Sequence, residues 1–193
     1  MNGERAEEML EALGEVLTEM GEKADIVICG GMALVLQRLS TRPTRDIDAL
    51  GIVVEKAGQF GLERPHMSPR LRQAIARVGT VYNRGRLWLN AAAIMLHEDT
   101  ELPAGLVDRA AVRHYGDMLT IRMCSRADLV KLKMWASVQR SGPDLDDLIE
   151  MKTTEEEAAC GFAWCSEQGA ERKALMSILL EMGHEQLAER ISA

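Results

Sequence analysis

No run of apolar residues in this sequence approaches the ~20 that a membrane-spanning helix needs, so no membrane partner is expected. Residues 1–8 are acidic and amphipathic, which is unlike a secretory signal peptide. The four cysteines include no Cys-x-x-Cys pair, and Cys29 and Cys124 lie in apolar, strand-like runs. This usage favours reduced, buried thiols and predicts a cytoplasmic protein.

Metal-binding spacing of the zinc type is also absent. The four histidines are scattered, and no His/Cys cluster has the spacing of a structural zinc site. We find neither an internal repeat nor a low-complexity segment. With 193 residues, of which 47% are hydrophobic, the chain can bury a full core as one domain with a helical appendage.

Charge is distributed unevenly along the chain, although the net charge is only −7. Residues 1–25 carry eight acidic and two basic side chains, and residues 144–193 carry twelve acidic and four basic. Residues 38–86 reverse this balance with ten basic side chains, mostly arginine, against four acidic ones. Because arginine binds phosphate through two hydrogen bonds, this segment suits a nucleotide or an RNA backbone. For the arginines at 70–77, a solvated helix face is the open alternative.

The hydrophobic pattern predicts alternating helices and strands. In chain order we expect a helix at 4–22, a strand at 26–29, a helix at 31–40, a strand at 46–54, a loop at 63–69, a helix at 71–78 and strands at 86–90 and 118–123, with 91–116 ambiguous. A helix from about 125 to a stop at 141–143 follows, and only helices are expected from 153 onward. The order predicts an α/β (α+β) fold with a mixed sheet flanked by helices. Its core would span 1–124, and a helical region at 125–193 would pack on that core.

The segment 26–54 carries the most informative motif. An apolar run ends in Gly30-Gly31, a short apolar helix follows, and Asp46 and Asp48 lie just beyond it in a second apolar run. Residues i and i+2 of a strand share a face, so the two carboxylates would lie side by side and favour a divalent cation. A glycine pair before a helix lets phosphate oxygens approach the backbone. Together these features predict nucleotidyl transfer.

The same order of residues resembles the nucleotidyltransferase superfamily, whose signature is a Gly-Gly or Gly-Ser turn followed by Asp-x-Asp or Asp-x-Glu. The finer pattern, in which Arg42 and Thr44 precede the aspartates, is similar to the AbiEii-type branch. That branch includes toxins of bacterial toxin–antitoxin and abortive-infection systems. Lys133, Arg140 and the segment 144–148 resemble its later motif, a helix-borne lysine followed by an arginine and Asp-x-x-Asp.

The resemblance implies a metal-dependent transferase. It would move a nucleoside monophosphate from a nucleoside triphosphate such as ATP to a hydroxyl of RNA, for example a tRNA 3′ end, or of a protein. Asp46 and Asp48 would hold Mg²⁺ or Mn²⁺, and Lys133 would neutralise triphosphate charge. The nucleotide-binding residues that the resemblance implies are Gly30, Gly31, Arg42, Thr44, Arg45, Arg140 and Asp147. A toxin role would imply a cognate antitoxin as a partner.

Two departures from the superfamily leave a second hypothesis open. Met32 follows the glycines where many active members carry Ser or Thr, and a third acidic residue is not evident. Asn90 is neutral, and Asp117 is one candidate for a third carboxylate. The alternative is a catalytically degenerate module that binds a nucleotide or a protein partner. Asp144 is open too, because it is placed to cap a helix as well as to serve the site.

Overall fold

A computed structural model describes residues 1–56, 58–140 and 142–192. The chain forms two compact units, Met1–Ser125 and Arg126–Ala193. Unit 1 contains a six-stranded mixed sheet together with helices, and the described part of unit 2 is helical. The predicted α/β fold with a mixed sheet is therefore confirmed.

The elements of unit 1 alternate as the hydrophobic pattern suggests. They are α1 (Gly3–Met20), β1 (Ala24–Cys29), α2 (Gly30–Leu36), β2 (Ile47–Lys56), β3 (Gln59–Glu63), α3 (Pro69–Val81), β4 (Leu89–Asn90), a 3₁₀ helix (Ala92–Met95), α4 (Leu96–Asp99), α5 (Leu106–Arg109), β5 (Ala111–Tyr115) and β6 (Leu119–Met123). The strand order is β3-β2-β1-β6-β5, with β4 paired to the beginning of β2. β1 is parallel to β6 and antiparallel to β2, whereas β2 and β4 are parallel.

The centre of the sheet is buried on both faces. Ile26, Val27 and Ile28 of β1 are fully buried, as are Leu119 and Ile121 of β6. Continuous apolar runs of this kind are typical of strands that are covered on both sides. The acidic and basic residues of the sheet are therefore concentrated at the strand ends and at its edges.

Helix α1 covers part of this sheet and neutralises part of the positive charge on α3. A Cβ at Gly14 would lie 2.2 Å from the Tyr115 carbonyl oxygen, so α1 can approach β5 closely only because residue 14 is glycine. Along α1, Glu19 pairs with Arg77 at 2.6 Å. A glutamate of the acidic segment 1–25 thus forms an ion pair with an arginine of the basic segment 38–86.

Trp88 connects α3, β4 and β2. Its side chain is 1% exposed, and its indole Nε1 donates a hydrogen bond of 2.8 Å to the Ile75 carbonyl of α3. Its own carbonyl oxygen accepts a hydrogen bond of 2.7 Å from the backbone N–H of Ile47. The short strand β4 is therefore held in register with β2 by a buried side chain as well as by the sheet ladder.

The structure differs from the predicted elements mainly at the edges of the sheet. β3 lies almost entirely between the predicted strand at 46–54 and the predicted loop at 63–69, where no element was expected, and β5 lies in the ambiguous segment 91–116. α2 ends at Leu36 rather than near residue 40, and α3 begins at Pro69, with the Ser68 side chain capping its N-terminus. Proline at the first helical position costs no hydrogen bond, so the helix starts inside the predicted loop.

Unit 2 consists, in the described residues, of α6 (Arg126–Gln139), α7 (Pro143–Glu150), α8 (Glu155–Glu167), α9 (Arg172–Glu181) and α10 (Glu185–Ser192). The helices expected from residue 153 onward are present, and a reciprocal capping box between Thr154 and Glu157 begins α8. Ser141, part of the predicted helix stop, lies outside the described residues. Among the described residues, no helix combines the length and apolar character that a bilayer crossing requires.

We expect Trp88→Phe to lower the free energy of unfolding by about 1–3 kcal/mol, because it removes a buried hydrogen bond and some packed volume. Urea unfolding of the two proteins measures the difference. Leu87→Ala is the control, since Leu87 is 68% exposed and its loss should have little effect. Equal stability of Trp88→Phe and the wild type would contradict a structural role for the indole hydrogen bond.

Candidate functional site

Asp48 lies between two neighbouring strands at one end of the sheet. It pairs with Cys29 of the antiparallel strand β1 and with Asn90 of the parallel strand β4. Cys29 ends β1, and the chain continues directly into α2 through Gly30 and Gly31. Because adjacent strands are about 4.8 Å apart, the glycine turn and Asn90 flank Asp48 on opposite sides.

The two glycines allow side chains to lie directly against the backbone of the turn. Gly30 has a φ of 71°, and a Cβ there would lie 2.8 Å from Asp48 Oδ2. A Cβ on Gly31 would lie 2.7 Å from Thr44 Cγ2 and 3.8 Å from Arg42 Nη2. A carboxylate, a threonine and a guanidinium group are therefore gathered at the turn, in space that other side chains at 30 and 31 would occupy.

Asp46 belongs to the same group of side chains. Its Oδ2 accepts a hydrogen bond of 2.9 Å from Asn90 Nδ2, and Asn90 Oδ1 accepts one of 2.7 Å from the Ala92 N–H. Asp48 and Asn90 are paired residues of adjacent strands, so their side chains share a face. Since Asp46 bonds to Asn90, the structure places both carboxylates on that face, and each is half-buried.

The segment before β2 is fixed through its backbone. Thr44 Oγ1 donates to the Asp46 carbonyl at 3.0 Å, and Arg84 Nη2 donates to the Arg45 carbonyl at 2.8 Å. Arg45 itself is exposed and directly precedes Asp46 in the chain. Arg42, Thr44 and Arg45 therefore lie within a few residues of the aspartates, on a segment that the rest of unit 1 holds in place.

Asp117 is not part of this group. It lies in the turn before β6, and Leu119 of β6 pairs with Ala24 at the beginning of β1. β1 and β6 are parallel, so Asp117 is at the opposite end of these strands from the glycine turn. Beside Asp48, the neighbouring strand presents the neutral Asn90 instead of a third carboxylate.

The donor set at Asp46 and Asp48 fits a cation that shares its ligands with a substrate. Mg²⁺ is usually bound by one or two carboxylates, with waters and substrate phosphates completing its octahedron. Groups of three or more His, Cys, Asp or Glu side chains that could hold a metal do not occur in residues 1–56, 58–140 and 142–192. Two carboxylate groups therefore suit Mg²⁺ or Mn²⁺ together with a phosphate, rather than a closed protein cage.

Lys133 lies in unit 2, within a buried cluster of opposite charges. Its Nζ is 2.7 Å from Asp144 Oδ1 and 2.6 Å from Asp147 Oδ2. The side chains of Lys133, Asp144 and Asp147 are 8%, 5% and 1% exposed. Arg140, which is mostly exposed, bonds to the other oxygen of Asp144 at 2.9 Å. Four residues of the motif that resembles the AbiEii-type branch thus form one cluster of ion pairs: Lys133, Arg140, Asp144 and Asp147.

The capping interpretation of Asp144 is wrong. The N-cap of α7 is Gly142, Pro143 occupies the first turn, and Asp144 bonds to Lys133 instead. Burial, the largest influence, disfavours the charged carboxylate, but Lys133 and Arg140 outweigh it and hold the pKa of Asp144 below its usual value. Lys133 Nζ donates a hydrogen bond to Asp144 Oδ1 and forms an ion pair with Asp147 Oδ2. Its implied contact with a triphosphate stays a prediction.

We expect Lys133→Met to lower the free energy of unfolding by about 3–5 kcal/mol at neutral pH, because two buried carboxylates lose their cation. The lowered pKa of Asp144 contributes stability above about pH 4, and this contribution disappears as the pH falls further. Protonated carboxyl groups are easier to bury, so the deficit of the variant should shrink on acidification. Unfolding curves at pH 7 and pH 3.5 measure both effects.

Lys131→Met, two residues away on the same helix, serves as the control for this substitution and should change stability little. A Lys133→Met deficit that is the same at both pH values would contradict an ionic role for the cluster.

A family described as "Nucleotidyltransferase of unknown function (DUF6036)" matches residues 7–156. The matched range contains the glycine turn, Asp46, Asp48, Asn90 and the cluster around Lys133. No curated protein and no solved structure matches the chain significantly. Since the match covers more than half of the sequence, and the glycine turn and aspartates lie together in the fold, the chain belongs to this family of nucleotidyltransferases of unknown function.

Proposed function

We propose that this protein transfers a nucleoside monophosphate from a nucleoside triphosphate to a hydroxyl acceptor, with Mg²⁺ or Mn²⁺ held by Asp46 and Asp48. The observation that carries the proposal is that Asp46 and Asp48 share one face and that Asp48 lies against the glycine turn, in a chain of this family. The ion, when bound, supplies positive charge that offsets the charge of the triphosphate.

Different residues of unit 1 would bind the triphosphate and orient the carboxylates. Backbone groups at Gly30 and Gly31 would lie along the phosphates, and the guanidinium of Arg42 beside Gly31 would add positive charge there. The amide of Asn90 would keep Asp46 oriented. During transfer the acceptor oxygen bonds to the α-phosphorus while the bond to the β-phosphate breaks, which releases pyrophosphate. The proton of the acceptor hydroxyl passes to a carboxylate or to water.

The finer assignments rest on the sequence resemblance. The AbiEii-type pattern of Arg42, Thr44, Lys133 and the 144–148 segment supports an RNA acceptor such as a tRNA 3′ end, a protein acceptor, and a toxin that is paired with an antitoxin. Within the proposal, ATP is one candidate donor, and Lys133, Arg140 and Asp147 are candidate nucleotide contacts. The labelling experiment below separates the two acceptor classes.

A second candidate function is a nucleotide-binding module without chemistry. The specific observation in its favour is Asn90, which stands beside Asp48 where a third carboxylate could accept the proton of an attacking hydroxyl. In this case the carboxylate pair and the turn would still bind a metal–nucleotide complex, but no transfer would follow.

We expect Mg²⁺ or Mn²⁺ to raise the melting temperature, because a cation relieves the repulsion between Asp46 and Asp48. At 100 times Kd the gain in stability is about 2.7 kcal/mol. The double variant D46N/D48N should lose this response and be at least as stable as the wild type without metal. Asp117→Asn is the matched control, since Asp117 precedes β6, at the end of the parallel strands β1 and β6 that is opposite the glycine turn. An unchanged response in D46N/D48N would place the metal elsewhere.

Transfer itself is tested by incubating the protein with Mg²⁺, each α-³²P-labelled nucleoside triphosphate, and either total RNA or soluble proteins. We expect the wild type to label one acceptor class and the double variant D46N/D48N to label none. Gel separation shows which class carries the label. Tight binding of a metal–nucleotide complex without any labelling would favour the second candidate function.

A further inference from the structure

A cavity of about 690 Å³ lies within unit 1. Its walls come from the loop at 64–68, from α3, and from the segment 86–91 that contains β4. Asn90, whose amide bonds to Asp46, forms part of the wall. The volume is in the range of sites that enclose a small ligand. Asn90 therefore belongs both to the wall of the cavity and to the candidate site.

The chemistry of the walls combines positive charge with apolar surface. Arg72, Arg86 and His66 line the cavity, and no Asp or Glu residue is among its described lining residues. Arg72 Nη1 donates to the Met67 carbonyl, which fixes the guanidinium at the wall. Apolar surface comes from prolines of the loop and of α3 and from Leu87, which is 68% exposed. Such walls suit a ligand that is anionic at one point and flat and apolar at another.

The other arginines of α3 have a different role. Arg77 pairs with Glu19 at 2.6 Å, and Arg70 lies 3.7 Å from Glu22. Both guanidinium groups are therefore paired with glutamates, one in α1 and one just after it. Arg72 differs from them because it faces the cavity.

We propose that this cavity binds the terminal nucleotide of a single-stranded RNA acceptor, an inference that rests on the proposed function. Unstacked bases of single strands stack on apolar side chains and on guanidinium planes, while arginine also bonds to phosphate oxygens. Arg72 and Arg86 would bind the phosphate of the terminal nucleotide, and the apolar walls would cover its base.

The position of the cavity fits an acceptor better than the donor. The glycine turn, where the triphosphate is proposed to bind, lies on the β1 side of Asp48, whereas Asn90 and the cavity lie on the β4 side. Attacking and leaving oxygens lie roughly in line in phosphoryl transfer. A hydroxyl that approaches from the cavity would therefore face the phosphorus from the side opposite the leaving pyrophosphate.

A protein acceptor fits these walls less well. A serine or threonine side chain is far smaller than the cavity and carries no charge for Arg72 and Arg86 to bind. A nucleotide uses both the charge and the volume, so the observations favour RNA.

The test measures binding of a fluorescein-labelled single-stranded oligoribonucleotide by anisotropy, without nucleoside triphosphate. We expect R72A/R86A to weaken binding by about tenfold or more for each arginine. The plot of log affinity against log salt should become shallower by about 0.7 for each phosphate that the variant no longer neutralises. The matched control is R70A/R77A, which removes the same charge from ion-paired positions and should retain most of the affinity.

Ala76→Trp provides a second variant, because it fills the cavity without changing its charge. It should reduce oligoribonucleotide binding and leave the metal-induced rise in melting temperature intact. Equal weakening by R70A/R77A and R72A/R86A, or labelling of proteins alone, would overturn the cavity assignment while the proposed function stands. If R72A/R86A instead loses affinity for the triphosphate, the cavity holds the donor. Absence of any response to metal and triphosphate in the wild type would contradict the proposed function itself.

Discussion

The site depends on the pairing of β2 with β1 on one side and with β4 on the other. Two carboxylates on one strand face repel each other, so their arrangement needs support from neighbouring groups. Asp48 is held against the glycine turn that ends β1, and Asp46 accepts a hydrogen bond from Asn90 of β4. A one-residue slip of β2 against β1 would turn Asp48 to the other face, and a one-residue slip of β4 would turn Asn90 away, because side chains alternate along a strand. The register of three strands is thus the physical basis of the site.

That register is supported from outside the sheet. β4 has only two residues, too few for its ladder to define a stable position, and the buried indole of Trp88 adds a bond to α3. α3 in turn packs against α1, and two of its arginines pair with glutamates in and just after α1. The segregated charge of the sequence therefore serves two purposes. Part of the arginine set balances α1, and Arg72 and Arg86 remain on the wall of the cavity beside Asn90.

Much of this arrangement could be predicted from the sequence, because the central strands and the motif produce strong local signals. The apolar runs around Gly30 and Asp48 and the i, i+2 spacing defined the fold class and the face of the carboxylates. The edge strands β3 and β5 could not be predicted, since most of their residues are exposed and lack an apolar pattern. The contacts of Lys133 could not be predicted from the sequence either. A lysine followed by Asp-x-x-Asp is compatible with a substrate site and with the buried ion cluster that the structure shows.

The balance of charge at Asp46 and Asp48 is what distinguishes the two candidate functions. A third carboxylate at position 90 would add a proton acceptor, but it would also increase the repulsion within the site. Asparagine reverses this: its amide donates to Asp46 and stabilises the pair, at the cost of a possible general base. Transfer would then rely on Asp46, Asp48 or water to accept the proton, and on orientation of the acceptor by the adjoining cavity.

Asn90→Asp separates these effects: we expect it to strengthen metal binding and, without metal, to lower stability, because a third negative charge joins the pair. Titration with Mg²⁺ during thermal unfolding measures both changes, and a variant with unaltered metal affinity would show that residue 90 does not act on the carboxylate pair.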